Sequence, residues 1–248
     1  MKKSFLTIAV LAFCSMMNAQ TTLKVKTIKE EVSLPQSYIS CTIKVDYPVS
    51  SSNTLNSRIM KFLLQEMDVN TSSGWTFNAE VEKPKIHVNG MTSFRKYMKA
   101  YTKNIVGYAK SEDLDNCGCD LYLKFLGQGT KFVCYNLNVS EVSLDGPRNY
   151  ITNCYYIVSK ATGKPVKNLF MDNTEEKLYA LAKKHLKNDE ERKSLDEEKD
   201  KCVVDYWMED SKYVHFIYST TSYDVATGKI PINEAKQYLT KEMKALIK

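Results

Sequence analysis

Residues 120–160 read DLYLKFLGQGTKFVCYNLNVSEVSLDGPRNYITNCYYIVSK. Three runs rich in aromatic and β-branched residues are separated here by two turn signals. Asp120–Leu126 leads into Gly127-Gln128-Gly129, a hairpin signal. Lys131–Val142 returns, with Val133, Tyr135, Leu137 and Val139 on one side of a period-two pattern. Asp145-Gly146-Pro147 turns the chain again. Asn149–Lys160 forms the third run, and Ala161-Thr162-Gly163-Lys164 closes it. The spacing predicts an antiparallel meander.

Upstream, Leu23–Val32 alternates weakly and reads as an edge strand. Residues 38–47 alternate clearly: Ile39, Cys41, Ile43, Val45 and Tyr47 face one way, and Pro48 ends the run. Ser50-Ser51-Ser52-Asn53 offers helix caps ahead of Leu55, Ile59, Phe62, Leu63 and Met67 at helical spacing. Another strand-like run spans Trp75–Val81. A helix is predicted over 91–109, with Phe94, Met98, Tyr101, Ile105 and Tyr108 as its stripe.

Downstream, Asn173 and Glu176 form a capping-type pair before Leu178, Leu181, Ala182, His185 and Leu186. Residues 188–201 are almost wholly charged around Leu195, which fits a solvated helix or a loop. Tyr213–Ser219 is a strand and Ala226-Thr227-Gly228-Lys229 reads as another turn. Ile230–Lys248 leads into an amphipathic terminal helix with Ala235, Leu239, Met243 and Leu246 inward. Elements come in blocks rather than in strict alternation. The expected class is therefore α+β, a mainly antiparallel sheet packed against several helices. The expected divisions are 1–19, 20–110 and 111–248, the last two folding as one compact unit.

Residues 1–19 read as a secretory signal. Lys2 and Lys3 precede an apolar stretch from Phe5 to Met17, and Ala19-Gln20 fits a cleavage site. The stretch is too short for a membrane span, which needs about 20 residues. Lipid attachment at Cys14 is a rival reading, opposed by the large Phe13 before it. The expected location is periplasmic or secreted. The formal charge is +6, and +4 once Lys2 and Lys3 are removed. No basic stripe is visible, so nucleic acid is not an expected partner.

Six cysteines follow Cys14: Cys41, Cys117, Cys119, Cys134, Cys154 and Cys202. In an exported chain they permit up to three disulfides, with the pairing open. Buried thiols are the alternative, and Cys117-Gly118-Cys119 has the wrong spacing for structural zinc. The chain also carries 16 tyrosines beside Trp75 and Trp207. Such rings, apolar on the face and polar at the tip, suit a glycan or peptide surface, and equally the inward face of half-buried strands.

Catalytic patterns are missing. His87, His185 and His215 stand in no paired metal motif, and no Gly-x-Ser-x-Gly elbow occurs. Neither Ala-Thr-Gly-Lys copy is a phosphate loop, because Lys164 precedes Pro165 and Lys229 precedes Ile230 where Ser or Thr is required. No metal or other cofactor is expected. Asp205, Glu209 and Asp210 around Trp207 are the place where a two-carboxylate hydrolase would be sought.

One resemblance extends this picture. It is carried by Tyr155–Lys164, Val166-Lys167-Asn168-Leu169-Phe170, Leu178 and Leu181. Further on it includes Phe216-Ile217-Tyr218, Tyr223-Asp224, Gly228 and Ile230-Pro231 through Tyr238-Leu239. These residues resemble the extracytoplasmic domain of RsiV-type lysozyme-sensing anti-sigma regulators, which also precedes the catalytic part of PdaC-type peptidoglycan deacetylases. The resemblance spans roughly residues 37–243. Family members often carry a Gly-Gly-Ala-His-Gly-like stretch where this chain has Leu144-Asp145-Gly146-Pro147-Arg148-Asn149. The resemblance implies a non-enzymatic envelope binding or sensing module for an envelope polymer or an exported protein. It places Tyr156, Tyr218, Tyr223 and Asp224 at the binding face. A carboxylate hydrolase and an assembly protein without a small ligand are the alternatives.

Overall fold

The computed structural model describes residues 22–72, 81–111, 117–143, 150–220 and 222–248. The signal segment with Cys14, most of Trp75–Val81 and the Leu144–Asn149 turn lie outside the described residues. Eight strands are formed: β1 (Val25–Leu34), β2 (Ile39–Pro48), β3 (Cys117–Gln128), β4 (Phe132–Ser143), β5 (Tyr150–Ser159), β6 (Val203–Trp207), β7 (Tyr213–Ser219) and β8 (Asp224–Pro231). The helices are α1 (Asn53–Ser72), α2 (Met91–Ser111), α3 (Glu175–His185), α4 (Asp189–Glu198), α5 (Ile232–Ala235) and α6 (Lys241–Leu246), with a 3₁₀ turn at Lys199–Lys201. One sheet has the order β1-β2-β3-β4-β5, and β6-β7-β8 form a second. The class is α+β with mostly antiparallel sheets. The exception is β2–β3, which pair in parallel and place Cys41 opposite Cys119. The connection between them holds α1 and α2, as a parallel pair requires a long crossover.

The chain divides into two compact units. One comprises Leu23–Phe125 and Tyr135–Cys154, and the other includes Leu126–Cys134 and Tyr155–Lys248. In the first, the alternating face of β2 (Ile39, Cys41, Ile43 and Val45) is buried, as are Leu55, Ile59, Leu63 and Met67 of α1. Ser52 caps α1 by accepting from the Leu55 amide at 3.2 Å. On α2 the predicted stripe holds, except that Tyr108 is only half-buried while Tyr97, Val106 and Ala109 join the core. Asp46 is buried yet satisfied. It accepts from Thr27 Oγ1 at 2.7 Å and from the Phe125 amide at 3.0 Å, and its carbonyl accepts from Tyr135 Oη at 3.1 Å. Buried polar groups persist only with such partners.

The second unit packs α3, α4 and the C-terminal helices with β6–β8 around Phe132, Leu195, Phe216, Ile230 and Met243. Three expectations are corrected here. The N-cap of helix α3 is Thr174, one residue later than the expected Asn173, which is left-handed at φ 60°. The terminal helix is broken into α5 and α6. The intervening backbone is engaged elsewhere: Tyr238 O accepts from the Met171 amide at 2.9 Å, and the Thr240 amide donates to Leu169 O at 3.1 Å.

Ala226–Lys229 is not a turn but the middle of β8. Its twin at Ala161–Lys164 does turn, through Gly163 at φ 72° and its amide bond to Ser159 O at 2.7 Å. Gly228 serves packing instead: a Cβ there would lie 2.7 Å from Phe216 Cζ, so the ring occupies that space.

No disulfide joins any two of the six cysteines Cys41, Cys117, Cys119, Cys134, Cys154 and Cys202. The bridges expected in the sequence are therefore not seen. Four of the six are buried and fill the interior as small apolar groups. Burial pushes the Cys134 thiol up to about 12, which keeps it protonated and unreactive.

Lys160 is nearly fully buried beside the Gly163 turn, and its Nζ donates to Gly129 O at 2.9 Å. Burial lowers its pKa from 10.5 to about 8. Below pH 8 the folded and unfolded chains both carry this proton, and folding bears the cost of burying the charge. Between about pH 8 and 10.5 only the unfolded chain holds the proton, so stability rises with pH across that window. The stability of the natural chain minus that of Lys160→Met should therefore climb by roughly 3 kcal/mol from pH 8 to 10.5. A flat difference would show that Lys160 is solvated.

Candidate functional site

In β6 and β7 alternate residues face the helices. Val214, Phe216 and Tyr218 of β7 are buried, and Tyr218 pairs in register with Val204 of β6. Near this pair, Tyr206 Oη and Tyr218 Oη lie 3.0 Å apart. Phe170 meets Tyr206 edge-on at 5.0 Å, Tyr179 of α3 meets Tyr218 at 6.1 Å, and Phe216 meets Tyr218 at 6.0 Å. Each such pair contributes about 0.5–1.5 kcal/mol beyond burial and fixes ring orientation.

The rings of Tyr179, Tyr206 and Tyr218 floor a pocket of about 170 Å³, with Glu175, Glu176 and Lys199 also lining it. The hydroxyls stay protonated. Burial raises Tyr206 well above the ordinary phenol value and also raises Tyr218. Tyr179 is raised first by desolvation and then by its 2.6 Å bond to Asp196. Lys199 places its ammonium 4.4 Å over the Tyr179 ring and pairs with Glu176 at 2.9 Å. The site therefore presents ring faces, neutral hydroxyls and both signs of charge. A volume of 170 Å³ is below the range of about 300–1,000 Å³ usual for free small molecules. It suits one ring or side chain carried on a larger molecule.

Of the residues expected at the binding face, Tyr218 lines this pocket. Tyr156 is half-buried on β5 and is not among the lining residues. Tyr223 is 56% exposed at the tip of the β7–β8 connection. Thr220 holds that tip by donating to Tyr223 O at 2.9 Å. Asp224 is exposed at the start of β8. Tyr179, Tyr206 and Lys199 are the additions. The alternation of Val204, Tyr206 and Met208 is the signal that identifies Tyr206, because it marks 203–207 as a strand.

The three carboxylates around Trp207 have separate tasks. Glu209 accepts from the indole Nε1 at 3.2 Å. Asp210 accepts from the Lys212 amide at 2.7 Å and the Tyr213 amide at 3.3 Å, which closes the β6–β7 turn. Asp205 is half-buried, and burial holds its carboxyl above the usual range. Trp207 is stacked on Tyr155 at 4.3 Å and on His215 at 5.3 Å.

The other unit has a wider recess of about 610 Å³ lined by Tyr47, Asn56, Met60 and Asn89 among others. Several of its polar groups are committed locally: Ser50 to Asn56 at 2.8 Å, Asn89 to Ser93 at 2.9 Å and Tyr47 to Met60 at 3.5 Å. Among the described residues, no group of three or more His, Cys, Asp or Glu is placed to hold a metal. No described helix is long and apolar enough to cross a membrane.

No protein-family profile and no curated protein matches the sequence. Two solved structures share the fold. A member of the DUF3298 family from Bacteroides fragilis is 15% identical, with a TM-score of 0.51 over 92% of this chain and 97% of that one. A DUF3298 family protein from Pseudomonas aeruginosa is 12% identical, with a TM-score of 0.51 over 91% and 98%. At these identities the likeness concerns the fold: the chain is built as proteins with this domain of unknown function are built.

Proposed function

We propose that this chain is an exported, non-catalytic binding or sensing module of the cell envelope, whose ligand is a glycan or protein of that envelope. The observation that carries it is the tyrosine pocket of Tyr179, Tyr206 and Tyr218, sized for one ring or side chain of a larger partner. The fold shared with DUF3298 proteins agrees with a role like that of the extracytoplasmic domain in RsiV-type regulators and PdaC-type deacetylases. A two-carboxylate hydrolase takes second place, because Glu209 and Asp210 are engaged with the indole and the turn.

The test is retention of the purified protein by insoluble peptidoglycan, with lysozyme as a parallel soluble bait. The natural chain should bind one of them saturably. Tyr179→Ala, at a half-buried position, should weaken that binding by about tenfold or more, as for a tyrosine anchor. Saturable binding that Tyr179→Ala leaves unchanged would move the site elsewhere. Absence of binding to both baits would remove the envelope-module proposal in favour of an assembly role.

A further inference from the structure

On the face of the second sheet away from Phe216, strand register sets a row of three side chains. Trp207 lies opposite His215, and His215 lies opposite Lys229. Residues directly opposite on one face have Cβ atoms about 4.5–5.5 Å apart. Lys229 extends over the ring of Tyr213, with its Nζ 4.4 Å from the centroid. This contact holds the ammonium in place while leaving its N–H donors unspent. His185, Lys187, Tyr213, His215 and Lys229 line one recess of about 440 Å³ in which no carboxylate takes part.

Eight other lysines are paired with carboxylates. Among the described residues, neither Lys187 nor Lys229 has an acidic partner. His185 Nε2 is buried without a well-aligned hydrogen-bond partner. Glu234 Oε2 lies 3.2 Å from it and is also held by Lys184 at 2.7 Å. The ammoniums of Lys187 and Lys229 share this recess and repel each other, and a bound anion removes that cost.

We propose that this recess binds a phosphate group. The donors are the ammoniums of Lys229 on β8 and Lys187 after α3, with the imidazoles of His215 on β7 and His185 at the end of α3. They act as separate points of charge, suited to a tetrahedral anion. A carboxylate is matched best by the planar fork of arginine, and no arginine lines the recess. The volume exceeds a bare phosphate and leaves room for the group that carries it. Ala226–Lys229 thus meets phosphate without being a phosphate loop, because the β8 register delivers Lys229. The inference is independent of the tyrosine pocket.

The chain has three histidines, His87, His185 and His215, so their ring Hε1 protons give three proton NMR signals. Titration with inorganic phosphate, against chloride at matched ionic strength, should shift the signals of His185 and His215 saturably and leave His87 still. The double variant K187Q/K229Q, on the surface, should weaken the response about tenfold. Glycerophosphodiester as a second titrant separates the two sources. A response to it assigns a phosphodiester polymer, and a response to inorganic phosphate alone assigns a monoester or free phosphate. Overturning results are no saturable shift with either titrant, or an equal response of all three histidines. A response unchanged in K187Q/K229Q would overturn it too.

Discussion

Tyr135→Ala is expected to destabilise the protein by about 5 kcal/mol, a large share of the stability of an ordinary domain. The ring is fully buried and packs against Phe62 at 5.9 Å and Phe125 at 5.6 Å. Its removal leaves a cavity among groups fixed to one helix and two strands. It also leaves Asp46 O without the donor at 3.1 Å. Tyr135→Phe removes only that last contribution and should cost about 1 kcal/mol. Urea unfolding at constant m-value measures both. A loss below about 1 kcal/mol for Tyr135→Ala would mean that the core closes over the gap, contrary to the packing described.

Gly228→Val is expected to cost about 3 kcal/mol, at the upper end for overpacking. The space a side chain would need is held by the Phe216 ring. That ring is fully buried and fixed edge-on to Tyr218, so it has nowhere to move. Pushing Phe216 disturbs Tyr218 and then Tyr206, so the same variant should loosen the tyrosine pocket. Combining it with Phe216→Ala gives a clear check. The two changes meet at one site, and the double variant should be more stable than the sum of the single losses by about 1–3 kcal/mol. Additive losses would place the clash elsewhere.

These two residues also show how far the sequence could be read. Tyr135 was legible because Val133, Tyr135, Leu137 and Val139 of β4 fall on one period-two face, with Asn136 and Asn138 between them, so periodicity places it inward. Gly228 was misread because Ala-Thr-Gly-Lys has the same local chemistry at 161–164 and 226–229. Only the ring of a residue 12 positions earlier, brought opposite by pairing, separates strand from turn. The terminal helix failed for the same reason: its break at 236–240 is imposed by residues 169–171, about 70 positions away. The parallel β2–β3 pairing is invisible to a pattern that reports faces but not neighbours.

The site followed the same rule. Tyr218 lies on a clean period-two strand, and the resemblance singled it out. Its partners Tyr206 and Tyr179 come from a short strand and from a helix, and only tertiary packing joins them. The cysteines illustrate the opposite error, in which an even count suggested bridges while the fold used most of these side chains as core atoms.

The most direct test of the central claim is the NMR response of the tyrosine rings when soluble peptidoglycan fragments, or lysozyme, are added to the labelled protein. The account predicts that the ring signals of Tyr179, Tyr206 and Tyr218 move together and saturate, while those of Tyr47 and Tyr97 in the other unit stay fixed. Movement confined to other tyrosines, or none with either addition, would contradict it.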